Sequence, residues 1–471
     1  MAGRVRQPGG PEEAGSDRPS TSAPLRETVE RLLEVAAAQP GLSGAEVYGE
    51  RSVSRRIRVF KGGVEQLSAA RRTGVGLRVF REGAVGYAYS SDTTPASLTE
   101  LVRRAAAHAQ VTQPDPHAVM PVPGAAPQEL VLFSADFEKV PDAQKIRLAL
   151  EAEAAALAYD PRITLVEHTV YVDADAEVVL VSTAGTDGAY RVDSCYLFLN
   201  CHAEQDGRVE TGIAYSVGRD PALLDPVACG REAAERAVRL LGAKPCPSTK
   251  GTVILEPFVA AAVVGVLGSA LTADAVQKGR SLFAALEGQA VASELVNLVD
   301  DGLDPCGLNS APFDGEGVPC RRTPLIEAGK LRGFLHDTYT AHKAGRQSTG
   351  NGLRGSYQSP PSVRPTNLIL GGRTTSLPDI VASMERGVLV TDAVGVHSGV
   401  NPVSGEFSVG ISGLLIESGR VAQPLREVTL AGDIQGMLKD IVALGDDARW
   451  VPSGSVYTPS VVIEGMTVGG T

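Results

Sequence analysis

A catalytic zinc ion is the first chemistry for which the residues can be searched. Zinc requires about three clustered histidine, cysteine or carboxylate ligands and an open coordination position. No two histidines have the HExxH or HExxxH spacing, and no carboxylate follows the nearest pair, His336 and His342, in a metallopeptidase pattern. The sequence therefore predicts neither metal ligands nor catalytic residues of that kind here. The histidines are His108, His117, His168, His202, His336, His342 and His397.

Two carboxylates, Asp314 and Glu316, alternate with glycines in the segment Phe313–Gly317. Such a pair could bind a cation or polarise a water molecule, but a solvated turn is the simpler interpretation. His397 lies in the glycine-rich loop Gly395–Gly399 and has the most site-like surroundings of the histidines, although a structural role is again simpler. These three residues are kept as candidates for a cleft or an interface.

Cysteine nucleophiles have little support in the sequence. Cys195 and Cys201 have the strand parity of the two leucines between them, which predicts that both lie in the core. Cys306 and Cys320 lie in loop-like sequence, with no neighbouring histidine to lower the thiol pKa. A Ser-His-Asp arrangement stays open because its members need not be neighbours, but no GxSxG elbow is present.

Composition and charge exclude several classes of function. The formal charge of −11 disfavours binding to nucleic acid. The longest apolar stretch, Phe258–Leu271, is shorter than the ~20 residues that a membrane span needs. Six cysteines without a CxxC pair do not indicate a disulfide framework, so we expect a reducing cytoplasm.

Hydrophobic periodicity predicts the elements that would position these residues. A helix over Arg26–Ala38 precedes an antiparallel meander over Ala45–Tyr89, and a second helix begins after Thr94 as N-cap. Strands are expected over Ile163–Val172 and Glu177–Ser182.

The chain is predicted to have an α+β fold made of three units. These are an N-terminal helix and antiparallel-meander unit, a middle α+β unit, and a large, mainly antiparallel, β-rich C-terminal unit that opens with a strand and the apolar helix Pro257–Leu271. The predicted boundaries are a disordered tail over 1–24, an N-terminal domain over 25–112, a linker over 113–130, a middle domain over 131–245 and a C-terminal domain over 246–471.

Several short segments of the third unit form an ordered set. They are Asn309–Gly317, Gly329–Leu331, Ser348–Asn351, Arg364–Asn367, Gly399–Ser408, Ile416–Gly419 and Ser453–Ser455. In order and spacing they resemble the motifs of the TldD/TldE (PmbA, modulator of DNA gyrase) metallopeptidase family. The segment Gly74–Val79 resembles the N-terminal unit of the same family, so the resemblance covers nearly everything after the tail.

The resemblance implies which of the two kinds of family subunit this chain is. TldD-like subunits carry HExxxH on the helix after the first strand of the C-terminal unit, and a cysteine ligand near the C-terminus. Here that helix, Phe258–Leu271, contains no histidine, acid or cysteine, and no cysteine follows Gly445. The resemblance therefore implies a TldE-like, non-catalytic subunit without a cofactor of its own. Its expected partner is a TldD-like subunit that carries zinc, and its expected substrate is an unfolded or extended peptide.

The candidate cleft or interface residues are thus Asp314, Glu316, His397 and, from the family motif, Asn401. Two alternatives stay open. One is a stand-alone hydrolase with a non-zinc site, built from His397 and loop carboxylates or from a cysteine. The other is a regulatory binding protein without a peptidase role.

Overall fold

The computed structural model describes residues 23–124, 126–395, 399, 401, 404–452 and 455–470. The predicted α+β class is confirmed, with an N-terminal helix and antiparallel sheet followed by a β-rich C-terminal region. Residues 1–22 of the predicted tail lie outside the described residues, and the first helix begins at Ala23.

One six-stranded antiparallel sheet runs through the first half of the chain, in the order β3-β2-β1-β4-β5-β6. The predicted meander forms its first three strands. Because β1 also pairs with β4, the predicted N-terminal and middle domains contribute to one continuous sheet. The strands are β1 Gly44–Phe60, β2 Gly63–Arg81, β3 Ala84–Ser90, β4 Ile163–Ser182, β5 Asp187–Gln205 and β6 Arg208–Gly218.

The prediction of two strands between residues 163 and 182 is wrong, because the whole segment forms the single strand β4. The residues between the two predicted strands include Asp173 and Asp175, which are buried. Lys145 forms an ion pair with Asp173, and Arg191 lies 2.9 Å from Asp175. Paired in this way, the carboxylates are tolerated inside a sheet without interrupting it.

Four helices cover this sheet. Helices α1 and α2 pack on the strands β1 to β3 and α3 and α4 pack on β4 to β6. Thr94 is the N-cap of α2 as predicted, because its side chain accepts the backbone N–H of Ser97. The helices are α1 Ala23–Ala37, α2 Pro95–Val111, α3 Asp142–Leu157 and α4 Pro226–Val238, with short 3₁₀ turns at Phe137–Lys139 and Pro221–Leu223.

The C-terminal region contains two larger sheets around the apolar helix α5, Pro257–Ala270. In one of them β7, β15, β16, β17 and β21 form a closed ring, because β7 pairs with both β15 and β21; β18 and β14 extend it from β21. The other has the order β10-β9-β8-β13-β20-β19, and β11 pairs with β12 alone. The bounds are β7 Thr249–Leu255, β8 Asn297–Asp301, β9 Arg322–Glu327, β10 Lys330–Leu331, β11 Gly352–Leu353, β12 Ser362–Val363, β13 Leu368–Gly371, β14 Thr374–Thr375, β15 Arg386–Val394, β16 Glu406–Glu417, β17 Arg420–Asp433, β18 Ile441–Gly445, β19 Arg449–Val451, β20 Val456–Thr458 and β21 Val461–Gly469.

The remaining helices among the described residues of this region are short: α6 Ala273–Gln277, α7 Thr338–Ala344, α8 Leu377–Ser383 and α9 Ile434–Lys439. Helix α5 supplies the apolar centre, since Val259, Ala260, Val264 and Leu267 are buried in the largest core cluster. Among the described residues, no helix combines the length and the hydrophobicity needed to cross a bilayer.

A loop of the C-terminal region lies directly against the first sheet. The hydroxyl of Tyr87 on β3 donates to the carbonyl oxygen of Tyr357 at 2.7 Å, and the Tyr357 N–H donates to Glu50 at 2.9 Å. Gly76 on β2 permits this approach, because a Cβ there would lie 2.2 Å from the Tyr87 hydroxyl and 2.5 Å from the Tyr357 carbonyl oxygen. Gly74 has the same role beneath the Tyr357 ring.

The substitution Gly76→Ala is expected to lower the melting temperature, because an added methyl group would push the loop off the sheet. Overpacking of this kind costs about 1–3 kcal/mol. Gly410→Ala is the matched control, since Gly410 also lies in a strand and a Cβ there would meet nothing within 4 Å. Equal melting temperatures for the two variants in thermal unfolding would contradict the close approach.

Two aspartates oppose each other in the first sheet, Asp175 on β4 and Asp193 on β5. Both are buried, and Asp193 accepts the backbone N–H of Ser134 at 2.7 Å. Burial, and then the neighbouring Asp175, raise the pKa of Asp193 from 3.8 to about 7. The neutral form of Asp193 is therefore the one that the fold favours.

Replacement of Asp193 by asparagine should stabilise the protein at pH 8 and change little at pH 4. Because the pKa of Asp193 is raised on folding, its stabilising contribution is complete below the unfolded value of 3.8 and is lost as the pH rises to about 7. Asparagine keeps the neutral shape at every pH. Melting temperatures of both proteins between pH 4 and pH 8 measure the effect, and a difference that does not change with pH would contradict it.

Candidate functional site

A cavity of about 470 Å³ lies between the first sheet and the C-terminal region. This volume is within the usual range of ligand pockets. One wall comes from the first sheet, with Tyr48 on β1 and Tyr190 on β5, and another from α5, with Gly265 and Ser269. The segments 308–311, 313–315, 353–354 and 364–365, with Val192 and Leu368, complete the lining. We call this cavity the cleft.

Helix α5 is the element on which the resemblance would place zinc ligands in a TldD-like subunit. Its sequence here is PFVAAAVVGVLGSA, which contains no imidazole, thiolate or carboxylate, and Ser269 is its one side-chain hydroxyl. The described residues also contain no group of three or more histidines, cysteines or acids that could hold a metal ion. The residues that the structure describes therefore do not fit a zinc site, and no chemical step of this chain is assigned to a metal.

A buried ionic network lies beside the cleft and joins the first sheet to the C-terminal region. Arg78 on β2 contacts Glu46 on β1 at 2.7 Å and Glu316 at 2.9 Å. Arg354 forms a second ion pair with Glu46, and its Nε donates to the Gly315 carbonyl oxygen at 2.7 Å. The four charged side chains are at most 9% exposed. Burial opposes the charge on Arg78, but Glu46 and Glu316 outweigh it and raise its pKa.

Asp314 is also buried, and it holds the turn that carries Glu316. Its Oδ1 accepts the backbone N–H groups of Glu316 and Val318 at 2.9 and 3.0 Å, and its Oδ2 accepts that of Gly352 at 2.8 Å. Burial, with Glu316 as a second cause, raises the pKa of Asp314 well above its usual range. The Oε2 of Glu316 accepts the Thr338 N–H at 2.7 Å.

The prediction of a solvated turn at Asp314 and Glu316 is therefore wrong, because the two residues are only 3% and 2% exposed. Asp314 lines the cleft, whereas Glu316 lies behind its wall in the ionic network. The oxygens of both carboxylates accept hydrogen bonds from the protein itself. This arrangement positions the segment 313–317, and it leaves these acids poorly placed to polarise a water molecule.

Of the other two candidates, the structure describes only Asn401. His397 lies outside the described residues. Asn401 is exposed, and its side chain accepts the Ser404 N–H at 3.2 Å, which closes the turn before β16. Asn401 is not among the residues that line the cleft. Of the four predicted residues, the structure thus brings together Asp314 and Glu316.

Histidines and cysteines elsewhere in the chain are placed as follows. The Nδ1 atoms of His117 and His342 lie 3.1 Å apart, although sequence separates them by 225 positions. Cys195 and Cys201 are buried in the core as predicted, and burial raises the thiol pKa of Cys201 to about 12. Burial likewise raises the pKa of Cys320 well above its usual range, so these thiols are poor nucleophiles.

Asp300 fixes the backbone beside the cleft. Its buried carboxylate accepts hydrogen bonds from the Asn351 side chain at 2.7 Å and from the Thr366 N–H and hydroxyl at 2.7 and 2.9 Å. Burial raises the pKa of Asp300 to about 6, although these donors oppose the shift. Two of the sequence motifs, 348–351 and 364–367, are thereby held on one carboxylate.

Sequence reasoning missed the other members of the ionic network that contains Glu316, namely Glu46, Arg78 and Arg354. Glu46 and Arg354 are 308 positions apart, so no local pattern could pair them. One signal was available, because Glu46 and Arg78 each interrupt an apolar run within strands that are buried on both faces, 45–49 and 74–80. A charge in such a position needs a buried partner.

The substitution Arg78→Met is expected to cost about 3–5 kcal/mol of stability. It removes one of the two cations of the network, so that the buried carboxylates of Glu46 and Glu316 are left with Arg354 alone. Arg103→Met is the matched control, since the Arg103 side chain is 69% exposed in its ion pair with Glu100. Denaturant midpoints measure both variants. If Arg78→Met shifted the denaturant midpoint from that of the unmodified chain no more than Arg103→Met does, the result would contradict the role of the network.

Known proteins have sequences and structures similar to those of this chain. Three family models match successive parts of the chain. PmbA/TldA metallopeptidase domain 1 matches residues 45–109, the central domain matches 135–241 and the C-terminal domain matches 248–470.

Relatives and solved structures agree with these matches. Metalloprotease PmbA of Escherichia coli O157:H7 is 29% identical over 94% of this chain and 96% of its own length. A metalloprotease TldD homolog of Haemophilus influenzae is 30% identical over 84% and 87%. A proposed DNA gyrase modulator from Thermotoga maritima has a sequence 29% identical to this one. Its crystal structure matches 94% of this chain and all of its own chain, with a TM-score of 0.87.

TldE from Thermococcus kodakarensis has the same fold, with a TM-score of 0.87 over 94% of this chain and all of that chain, at 23% identity. The matches span the described architecture from β1 to β21. On this evidence the chain belongs to the PmbA/TldD metallopeptidase family.

Proposed function

We propose that this chain is the non-catalytic, TldE-like subunit of a two-subunit zinc peptidase that acts on unfolded or extended peptides. The TldD-like partner would supply the zinc ion and the general base. The proposal is carried by the composition of α5. This helix contributes Gly265 and Ser269 to the wall of the cleft, and it has no side chain able to bind zinc.

Zinc activates water because three protein ligands hold the ion beside an open position. A chain without such ligands can still contribute to peptide hydrolysis by binding and orienting the substrate. The cleft suits this role, because its walls combine the aromatic side chains of Tyr48, Tyr190 and Phe313 with the exposed polar residues Ser269 and Asn309. Apolar walls with a few polar groups are typical of sites that bind peptides and small ligands.

The structure gives the alternative of a stand-alone hydrolase less support than the sequence did. Its loop carboxylates, Asp314 and Glu316, are buried and hydrogen-bonded, and burial raises the pKa of the thiols of Cys195, Cys201, Cys229 and Cys320. All six cysteines are free thiols, which supports the proposed cytoplasmic location. No specific observation favours a regulatory role without peptidase activity.

The purified chain alone is expected to retain no stoichiometric zinc after dialysis and to cleave no peptide, since α5 offers the metal no ligand. Mixing with a TldD-like partner should produce one zinc ion per pair and cleavage of a denatured, labelled polypeptide. Elemental analysis and fluorescence measure the two quantities. A His117→Ala, His342→Ala double variant serves to exclude zinc held by that exposed histidine pair.

Two further proteins make the experiment decisive. A partner whose HExxxH glutamate is replaced by glutamine should abolish cleavage, while Arg373→Met in this chain should leave it intact, because Arg373 is exposed and does not line the cleft. Cleavage by the isolated chain would refute the proposal. So would cleavage that persists undiminished with the glutamine variant of the partner.

A further inference from the structure

Arg364 differs from the other charged residues that line the cleft. Arg354 is neutralised by Glu46, and Asp314 is occupied by three backbone N–H groups. Arg364 is exposed, and within the part of the chain that the structure describes its guanidinium forms neither an ion pair nor a hydrogen bond. The cleft therefore carries one uncompensated positive charge.

The backbone of Arg364 is held in place. Its N–H donates to the Asn351 carbonyl oxygen, and its own carbonyl oxygen accepts from the Asn351 side chain, both at 3.0 Å. Asn351 is in turn bound to Asp300, as is Thr366 two residues further along. Pro365, between them, has a restricted φ angle and also lines the cleft. A side chain on such a fixed backbone loses less freedom when it binds a ligand.

The surroundings of Arg364 strengthen its preference for an anion. Tyr190, Phe313 and Leu368 line the same cavity, and a guanidinium beside apolar walls interacts more strongly with an anion than it would in bulk water. Guanidinium also matches a carboxylate in geometry, with two parallel N–H donors. The chain as a whole has a formal charge of −11, so a cation in the cleft is not a general feature of its surface.

We propose that Arg364 binds a carboxylate of the peptide in the cleft, so that the substrate is selected for an acidic side chain or for a free C-terminus. The proposal rests on the proposed function, because it assigns a substrate preference to the same cleft. The pairing would be a charge-assisted hydrogen bond at a fixed point along an extended peptide. Loss of such a bond is expected to weaken binding about tenfold or more.

Fluorescence anisotropy with three labelled peptides of otherwise identical sequence tests the preference. The first has a central glutamate and an amidated C-terminus, the second has glutamine and an amidated C-terminus, and the third has glutamine and a free C-terminal carboxylate. The chain alone, and the pair with an inactive partner, should bind either the first or the third about tenfold more tightly than the second. The tighter peptide identifies the source of the carboxylate.

Three variants connect the preference to Arg364. Arg364→Met should abolish the difference between the peptides, and Arg364→Glu should reverse it, so that the peptide that bound most tightly binds more weakly than the amidated glutamine peptide. Arg373→Met is the matched control, because Arg373 is also exposed in the C-terminal region but does not line the cleft, and it should keep the full preference. Melting temperatures of all variants verify that they are folded.

The possible failures are distinguishable. Equal binding of the three peptides, or a preference that survives in Arg364→Met, would overturn the role of Arg364 and leave the cleft as a peptide site. Absence of binding for every peptide, both to the chain alone and to the inactive pair, would instead overturn the proposed function together with this inference.

Discussion

The buried ion pairs among Glu46, Arg78, Glu316 and Arg354 are the contact on which the rest of the structure depends. Buried charges are tolerated when each has partners of opposite sign, so the network can form only if the first sheet and the C-terminal region meet in one arrangement. The cleft is lined partly by Arg354 of this network and by the segment 314–315, whose Gly315 carbonyl oxygen accepts a hydrogen bond from Arg354. The network therefore sets the position of one wall relative to the other.

The opposite wall depends on α5, whose composition reflects packing rather than chemistry. Its buried residues fill the space between the two C-terminal sheets, while Gly265 and Ser269 face the cleft. A relative with HExxxH on the corresponding helix would place imidazoles and a carboxylate where this chain has alanine, valine and glycine. Under the proposed function, the same fold provides a reactive wall in one subunit and an inert wall in its paralogue, which is consistent with function being a property of sites rather than of folds.

Sequence patterns predicted the parts of the fold that depend on neighbouring residues. Apolar periodicity located the meander, the N-cap Thr94 and the apolar helix at Pro257, because these signals lie within a few positions of one another. The same reasoning divided β4 at its aspartates, since the cations that neutralise Asp173 and Asp175 lie elsewhere in the chain. It also took Asp314 and Glu316 for a solvated turn, because Arg78, the ion-pair partner of Glu316, lies 238 positions away in the sequence.

The resemblance to the family predicted a peptide-binding cleft by a different route, through motif order rather than through chemistry visible in any one segment. Its central implication is that this subunit shapes a cleft in which its partner holds the metal. The most direct test is anomalous diffraction at the zinc edge from crystals of the chain bound to a TldD-like partner. One peak per pair, at the partner's HExxxH helix, is the predicted result. A peak within coordination distance of side chains of this chain alone would contradict it.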